Sequence, residues 1–101
     1  MSRKTIKKVF ITAPSDKVFW LRSGQSINDL GELSRVLKTI SDEDFYYHVS
    51  KEKNDFANWI EEVLDDGELA EKMRRKWTKN QILYVIDNHI KTYYEKGQQN
   101  V

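Results

Sequence analysis

Residues 45–60 read FYYHVSKEKNDFANWI, and this segment governs the interpretation of the whole chain. Two aromatic-rich runs, at 45–49 and 56–60, flank the polar run 50–55. Each aromatic run is typical of a short helix, and the polar run is typical of a break between helices. The segment therefore predicts two helices that meet at a rigid corner, where an imidazole and side-chain amides are held in place.

The side chains at this corner are the main candidates for binding a partner. At about 100° per residue, Phe45 and Val49 share one helix face, whereas Tyr47 points the opposite way. Tyr47 is then either half-buried with its hydroxyl in water, or exposed and available to a partner. The candidate partner-binding residues are Tyr46, Tyr47, His48, Asn54, Asp55 and Asn58.

His48 has several possible roles. It lies four residues after Asp44, a spacing that can place a carboxylate beside the imidazole or supply two metal ligands. The chain has no cysteine and its only other histidine is His89, so no metal site is expected. The favoured role is structural, with His48 bonded to the 50–55 break, and catalysis by His48 with Asp44 or Asp55 is the third hypothesis. His89 falls on an apolar helix face and is expected to be buried and satisfied.

The rest of the chain predicts an α+β fold that is mostly α, with a short N-terminal β-hairpin packed on a bundle of four to five helices. The hairpin strands are expected at 9–12 and 17–22, joined by a turn at 13–16. Asn28 is expected to cap the first helix, which carries the apolar residues Leu30, Leu33, Val36, Leu37 and Ile40. Ser41 is expected to cap the second helix and Asn54 or Asp55 the third, which Gly67 ends in the left-handed conformation. A fourth helix is expected to begin at Glu68 and include Trp77, and Thr78 is expected to cap a fifth that runs to about Lys96. One domain, 1–101, is expected, with 1–8 and 97–101 frayed.

A basic segment follows the acidic end of the third helix. Its candidate nucleic-acid-binding residues are Lys72, Arg74, Arg75, Lys76, Trp77 and Lys79, and Arg3, Lys4, Lys7 and Lys8 would assist them. The simplest interpretation is acid–base pairing across the Gly67 corner. The alternative is phosphate binding with base stacking on Trp77, which the adjoining carboxylates oppose.

Composition narrows the class of protein. The 17 Lys and Arg against 16 Asp and Glu leave a net charge of +1, which provides no overall field for attracting polyanions. No cysteine, membrane span or signal-peptide pattern is present, which predicts a cytoplasmic protein without membrane contact. No glycine-rich phosphate loop or nucleophile motif occurs, so no enzyme activity, catalytic residue or cofactor is expected. The last helix, 78–96, has a broad apolar face that predicts two covering layers, a homodimer interface or a groove for a partner peptide.

A family resemblance rests on two elements of the same segment. These are the pattern Phe-x-x-His-Val at 45–49 and the run Lys-Asn-Asp-Phe-Ala-Asn-Trp-Ile at 53–60. With the flanking apolar positions, residues 18 to 75 resemble an uncharacterised domain family met mostly in archaeal proteins. The resemblance implies a recurring domain and assigns no catalytic or ligand residue. The expected function is thus a small non-catalytic protein-interaction or regulatory module that binds a protein partner or itself, with nucleic-acid binding as the alternative.

Overall fold

The computed structural model describes residues 7–94, which form a helical turn, a hairpin and five helices. The elements are a 3-10 turn at Ser15–Lys17, strands β1 (Phe19–Trp20) and β2 (Ser26–Ile27), and helices α1 (Leu30–Leu37), α2 (Asp42–His48), α3 (Asp55–Glu62), α4 (Gly67–Arg74) and α5 (Lys79–Tyr93). The predicted fold class is confirmed. Of the termini expected to fray, residues 1–6 and 97–101 lie outside the described residues, whereas the Lys8 amide donates to the Tyr93 carbonyl at 2.8 Å.

The hairpin is present, but its strands lie later in the chain than predicted. β1 and β2 pair antiparallel, with Phe19 opposite Ile27. The turn between them is centred on Gly24, whose φ of 100° belongs to the left-handed region that favours glycine. The predicted first strand, 9–12, is wrong because the Ser23–Gly24 pair is the hairpin turn rather than the end of a strand. The N-terminal segment instead forms a parallel bridge from Lys8 to Tyr94.

The helix starts follow local capping chemistry. The side chains of Ser41, Asn54 and Thr78 accept from backbone amides in the first turns of α2, α3 and α5, which confirms these three caps. At α1 the cap is Asp29 rather than Asn28, because the Asp29 carboxylate accepts from the Glu32 amide.

The junction between α3 and α4 differs from the sequence prediction. Asp65, with φ of 58°, takes the left-handed conformation that was expected of Gly67. Asp66 then caps α4 and Gly67 is its first residue, since a carboxylate is favourable at a helix N-terminus. α4 ends at Arg74, so Trp77 lies beyond it. α5 ends at Tyr93, and Lys96 lies outside the described residues.

The core joins the hairpin to the corner between α2 and α3. The Phe56 ring stacks between Phe19, with ring centroids 4.8 Å apart, and Phe45, at 5.9 Å. α5 contacts α1 and α4, and its residues Ile82 and Ile86 are buried. The corner is thus anchored to a core formed from all parts of the described chain.

Candidate binding site at the corner between helices α2 and α3

His48 links the hairpin to both helices of the corner. Its ring is buried and lies 5.1 Å from that of Phe19 and 5.3 Å from that of Phe56, centroid to centroid. Nε2 accepts from the Arg22 amide at 3.1 Å, so Nδ1 carries the proton and donates to the Asp55 carboxylate at 3.1 Å. Both nitrogens are engaged within the protein, which is the arrangement expected of a structural histidine.

The pairing of His48 with Asp55 bears on the other roles considered for it. The Asp44 carboxylate lies 3.8 Å from Arg22 Nε, in a salt bridge of its own. The Nε2 lone pair of His48 already accepts a backbone N–H, so it is not free to bind a metal. Among residues 7–94, no group of three His, Cys, Asp or Glu residues is arranged to hold a metal ion.

The two tyrosines of α2 differ in their environment. Tyr46 is tied to α5, because its hydroxyl oxygen accepts from the Lys79 amide at 3.0 Å. The Tyr47 side chain is 55% exposed and lies under the cations of Lys53, 5.2 Å from the ring centroid, and Arg22, at 5.5 Å. Of the two alternatives for Tyr47, the structure shows the exposed one. Tyr47 therefore presents an aromatic ring, flanked by positive charge, on the outer side of the corner.

The break between the helices is an ordered loop. Val49 and Asn54 form an antiparallel bridge, and the Ser50 amide donates to the Lys53 carbonyl at 2.8 Å. Asn54 is only 7% exposed, and its Oδ1 caps α3 by accepting from the Ala57 amide at 2.9 Å. Its Nδ2 is buried and finds no acceptor among residues 7–94. A buried donor without an acceptor costs about 1–3 kcal/mol, so this amide is a polar group of the corner that the described residues leave unsatisfied.

A cavity of about 210 Å³ opens beside this amide. It lies between the break loop, the start of α3 and the segment that follows α4. Its lining residues are Ser50, Lys51, Glu52, Lys53, Asn54, Asn58, Arg74, Lys76 and Trp77. The structure therefore brings Asn54 and Asn58 of the partner-binding candidates together with Arg74, Lys76 and Trp77 of the nucleic-acid-binding candidates.

Most cations of the basic segment are paired with carboxylates. Arg74 Nη2 lies 2.8 Å from Glu61 across the α3–α4 junction, which is the acid–base pairing expected from the sequence. The other pairs are Lys72 with Glu68 at 3.5 Å, Arg75 with Glu71 at 3.9 Å and Lys79 with Asp42 at 2.9 Å. Lys76 makes no salt bridge within the described part of the chain. The segment is therefore not a continuous run of free positive charge.

A second cluster, centred on Asp66 at the start of α4, was not predicted. The Asp66 side chain is 1% exposed, and its Oδ2 accepts from the Tyr94 hydroxyl at 2.6 Å. Oδ2 also lies 3.1 Å from Nε2 of the buried His89. His89 Nδ1 lies 3.2 Å from the Lys72 ammonium, which can only donate, so the His89 Nε2–H donates to Asp66. His89 is thus buried and hydrogen-bonded, as expected.

The Asp66 cluster has a strong electrostatic signature. Burial alone would raise the pKa of Asp66, but hydrogen bonds from His89, Tyr94 and the Leu69 amide outweigh it and hold that pKa well below its usual range. Burial and the bond to this carboxylate raise the pKa of Tyr94 well above its ordinary value. The cluster joins the start of α4 to the end of α5, and we assign it to stability rather than to binding.

Comparison with known proteins identifies the family. The profile of the family of unknown function DUF5752 matches residues 15–76. The chain belongs to DUF5752. The match covers the hairpin, the corner and α4, whereas α5 and the segment before residue 15 lie outside it. No curated protein and no solved structure matches the chain.

The DUF5752 match includes all the candidate partner-binding residues between Tyr46 and Asn58, and most of the residues that line the cavity. Trp77, just beyond residue 76, is a feature of this chain outside the match. Sequence reasoning missed Lys51 and Lys53 as lining residues, although the alternating charges of the 50–55 run were the available signal. Within residues 7–94, no helix has the length and apolar character to cross a membrane.

Proposed function

We propose that this DUF5752 protein is a non-catalytic protein-interaction module that binds its partner through the corner surface. We define the corner surface as Tyr47, the 50–54 loop, Asn58 and the segment Arg74–Trp77. The observation that carries the proposal is the cavity of about 210 Å³ beside the exposed side chain of Trp77. A concave site next to exposed aromatic and Arg side chains has the composition of an interface hot spot.

The support from burial is that Tyr47 and Trp77 are 55% and 52% exposed although the chain has a well-filled core. Trp77 lines the cavity, and large exposed aromatic side chains provide contact area at a small cost in conformational entropy. They are held on a rigid base, because His48 ties α2 to α3 and the Arg74 guanidinium donates to Asn58 Oδ1 at 2.8 Å. A pre-organised surface of this kind loses little freedom on binding.

Tryptophan substitutions provide a direct test of this surface. Immobilised protein is used to isolate a partner from the cells that produce it, and the affinity of the purified partner is then measured. Trp77→Ala should weaken binding by about 2 kcal/mol or more, as for interface hot spots, which is roughly thirtyfold. The matched control is Trp20→Ala, since Trp20 is 63% exposed on β1 and outside the corner surface. Equal losses for the two variants, or retention of the same proteins by the Trp77→Ala chain, would refute the proposal.

Nucleic-acid binding is the second candidate, and it is favoured by the exposed Trp77 beside Lys76, which makes no salt bridge with any residue from 7 to 94. The carboxylate partners of Lys72, Arg74, Arg75 and Lys79 oppose it, because each pair must be broken or shared to neutralise a phosphate. An oligonucleotide should bind more weakly as salt rises if phosphates are contacted, and a mainly apolar protein contact should change little. The absence of any complex with DNA or RNA at low salt eliminates this candidate.

Self-association through 78–96 is the alternative form of protein binding. Tyr84, which is 70% exposed, is the largest exposed aromatic surface on α5. Light scattering distinguishes the forms, because a monomer has a mass of 12.0 kDa and a dimer twice that. We also propose a cytoplasmic location and a family distribution mostly in archaea, both of which rest on sequence alone.

A further inference from the structure

Positive charge is concentrated at the corner cavity although the chain as a whole is nearly neutral. Four cationic side chains, Lys51, Lys53, Arg74 and Lys76, and one carboxylate, Glu52, line the cavity. Lys53 lies 3.0 Å from Asp55 and Arg74 lies 2.8 Å from Glu61, so two of the four are partly neutralised. Lys51 and Lys76 make no salt bridge among residues 7–94. The cavity therefore keeps a modest excess of positive charge that residues 7–94 do not neutralise.

Hydrogen bonding at the cavity also points to an anionic ligand. Asn54 lines the cavity at the N-terminus of α3, where the helix dipole is positive. Its Oδ1 is used for the helix cap, whereas its Nδ2 is a buried donor with no acceptor in the described chain. Because Nδ2 has less than 1 Å² of accessible surface, a ligand oxygen reaches it only after the break loop shifts, and that contact would then satisfy the donor. The donor is independent of the lysines, and both favour an oxyanion.

The amount of charge selects a carboxylate over a phosphate. Glu52 faces the cavity, and Asp55 and Glu61 sit on the cations beside it. Four cations less three carboxylates leave an excess of about one positive charge, which a single carboxylate neutralises, whereas a phosphate monoester, with a charge of about −1.5 to −2 at neutral pH, would leave the site negative. The exposed indole of Trp77 adds an apolar wall, so the ligand should have an apolar group next to its acid.

We propose that this cavity binds a carboxylate side chain of an acidic peptide segment in the partner, with an adjoining apolar side chain packed on Trp77. The proposal rests on the proposed interaction function and names the chemistry that the partner presents. Lys51 and Lys76 supply the attraction, and the Asn54 Nδ2 donates to the carboxylate. The same recognition gives specificity, because a neutral amide in place of the acid leaves the cations without a counter-charge.

Titration with a defined peptide tests the cavity without knowledge of the partner. The full chain, labelled with ¹⁵N, is titrated with acetyl-Gly-Glu-Phe-Gly-amide, which carries a single carboxylate, and, in parallel, with the peptide in which that Glu is Gln. The acidic peptide should give saturable shifts of the Asn54 side-chain amide and the Trp77 indole N–H, and the Gln peptide should bind at least about tenfold more weakly. If the shifts do not saturate at up to about 5 mM acidic peptide, the Kd is weaker than about 1 mM and the proposal is overturned.

Two variants with controls locate the binding. Lys76→Glu should reduce the affinity about tenfold or more, whereas Lys91→Glu, an equal charge change at the far end of α5, should leave it within about twofold. Asn54→Ser keeps an oxygen for the α3 cap and adds no charge but removes the amide donor, so it should weaken binding while the thermal midpoint is retained. Equal effects of the two lysine variants, or normal binding by a folded Asn54→Ser chain, would overturn the proposal.

Inorganic phosphate and a single-stranded oligonucleotide are titrated as further probes. Saturation of the same resonances by either, at lower concentration than the acidic peptide, assigns the cavity to phosphate and overturns the proposal. The result is separable from the proposed function. If Trp77→Ala weakens partner binding but Lys76→Glu does not, the interaction module is upheld and the carboxylate pocket is overturned. If the acidic peptide binds but Trp77→Ala does not change partner affinity, the carboxylate pocket is upheld and the proposed interaction surface is overturned.

Discussion

Replacement of Asp66 by Asn should strongly destabilise the fold. The change keeps the shape of the side chain and an oxygen that can cap α4, but it replaces a charged acceptor by a neutral amide. The Tyr94 hydroxyl and His89 Nε2–H, now at 2.6 and 3.1 Å from Asp66 Oδ2, would lose that acceptor. Hydrogen bonds to charged groups contribute about 1.5–3 kcal/mol each, and a buried donor left without an acceptor costs about 1–3 kcal/mol. We therefore expect a loss of about 3 kcal/mol.

The magnitude matters because a chain of this size has only about 5–15 kcal/mol of stability. Urea unfolding followed by tryptophan fluorescence measures the change, with an unaltered slope as evidence that unfolding remains two-state. The matched control is Asp65→Asn at the neighbouring exposed residue, whose φ of 58° Asn tolerates. Its effect should be within about 0.5 kcal/mol.

A double-mutant cycle with Tyr94→Phe tests the cause as well as the size. Because Tyr94 and Asp66 are in direct contact, the two substitutions should be non-additive by about 1–3 kcal/mol. A loss below about 1 kcal/mol for Asp66→Asn, or strictly additive losses in the cycle, would refute the account of this cluster.

The other predictions concern pH, the imidazole of the corner and the hairpin turn. Folding lowers the pKa of Asp66, so the carboxylate contributes fully to the free energy of unfolding above its unfolded pKa of about 3.9, and this contribution is lost as pH falls through the folded pKa. Stability should therefore fall less steeply with acid in Asp66→Asn than in the wild type. Folding raises the pKa of Tyr94, so the hydroxyl contributes fully to the free energy of unfolding below about pH 10, and this contribution is lost as pH rises through the folded pKa. Tyr94→Phe should remove this loss of stability at alkaline pH. The same alkaline loss in Tyr94→Phe as in the wild type would contradict the role given to the Tyr94 hydroxyl. His48→Ala should lower the free energy of unfolding in urea by about 3 kcal/mol, because it removes a buried ring and leaves the Arg22 amide without its acceptor. Asp44→Ala should lower it by less than about 1 kcal/mol, because the salt bridge of Asp44 with Arg22 is partly exposed to solvent. A larger loss for Asp44→Ala than for His48→Ala would point to an Asp44–His48 pair. Gly24→Ala should cost about 1 kcal/mol through its φ of 100° alone, since no atom lies within 4 Å of the added methyl, and a neutral effect would show that the turn relaxes.

The features that sequence predicted well are those encoded locally. The caps at Ser41, Asn54 and Thr78 depend on a side chain and an amide three residues away. The helix faces depend on spacing within a single element. The corner followed from the polar run 50–55 between two apolar patterns. These signals are complete within short windows, so the helical part of the fold could be predicted.

The features that were missed or misplaced depend on distant partners. Each hairpin strand has only two residues, too few for an alternating pattern to reveal it. The Asp66 cluster joins residues 23 and 28 positions apart, so no local pattern indicates it. The cavity forms where the break loop meets Arg74–Trp77 after folding. Sequence reasoning thus separated two candidate surfaces that the fold joins into one.

The most direct test of the central claim, that the corner surface contacts a protein partner, is site-specific photo-crosslinking. A benzophenone amino acid replaces Trp77 in one chain and Trp20 in a second, and each is irradiated with the isolated partner. We expect a covalent adduct from position 77 whose yield falls when wild-type protein without the benzophenone is added, and no adduct from position 20. Adducts from position 20 alone, or equal adducts from both positions, would contradict it.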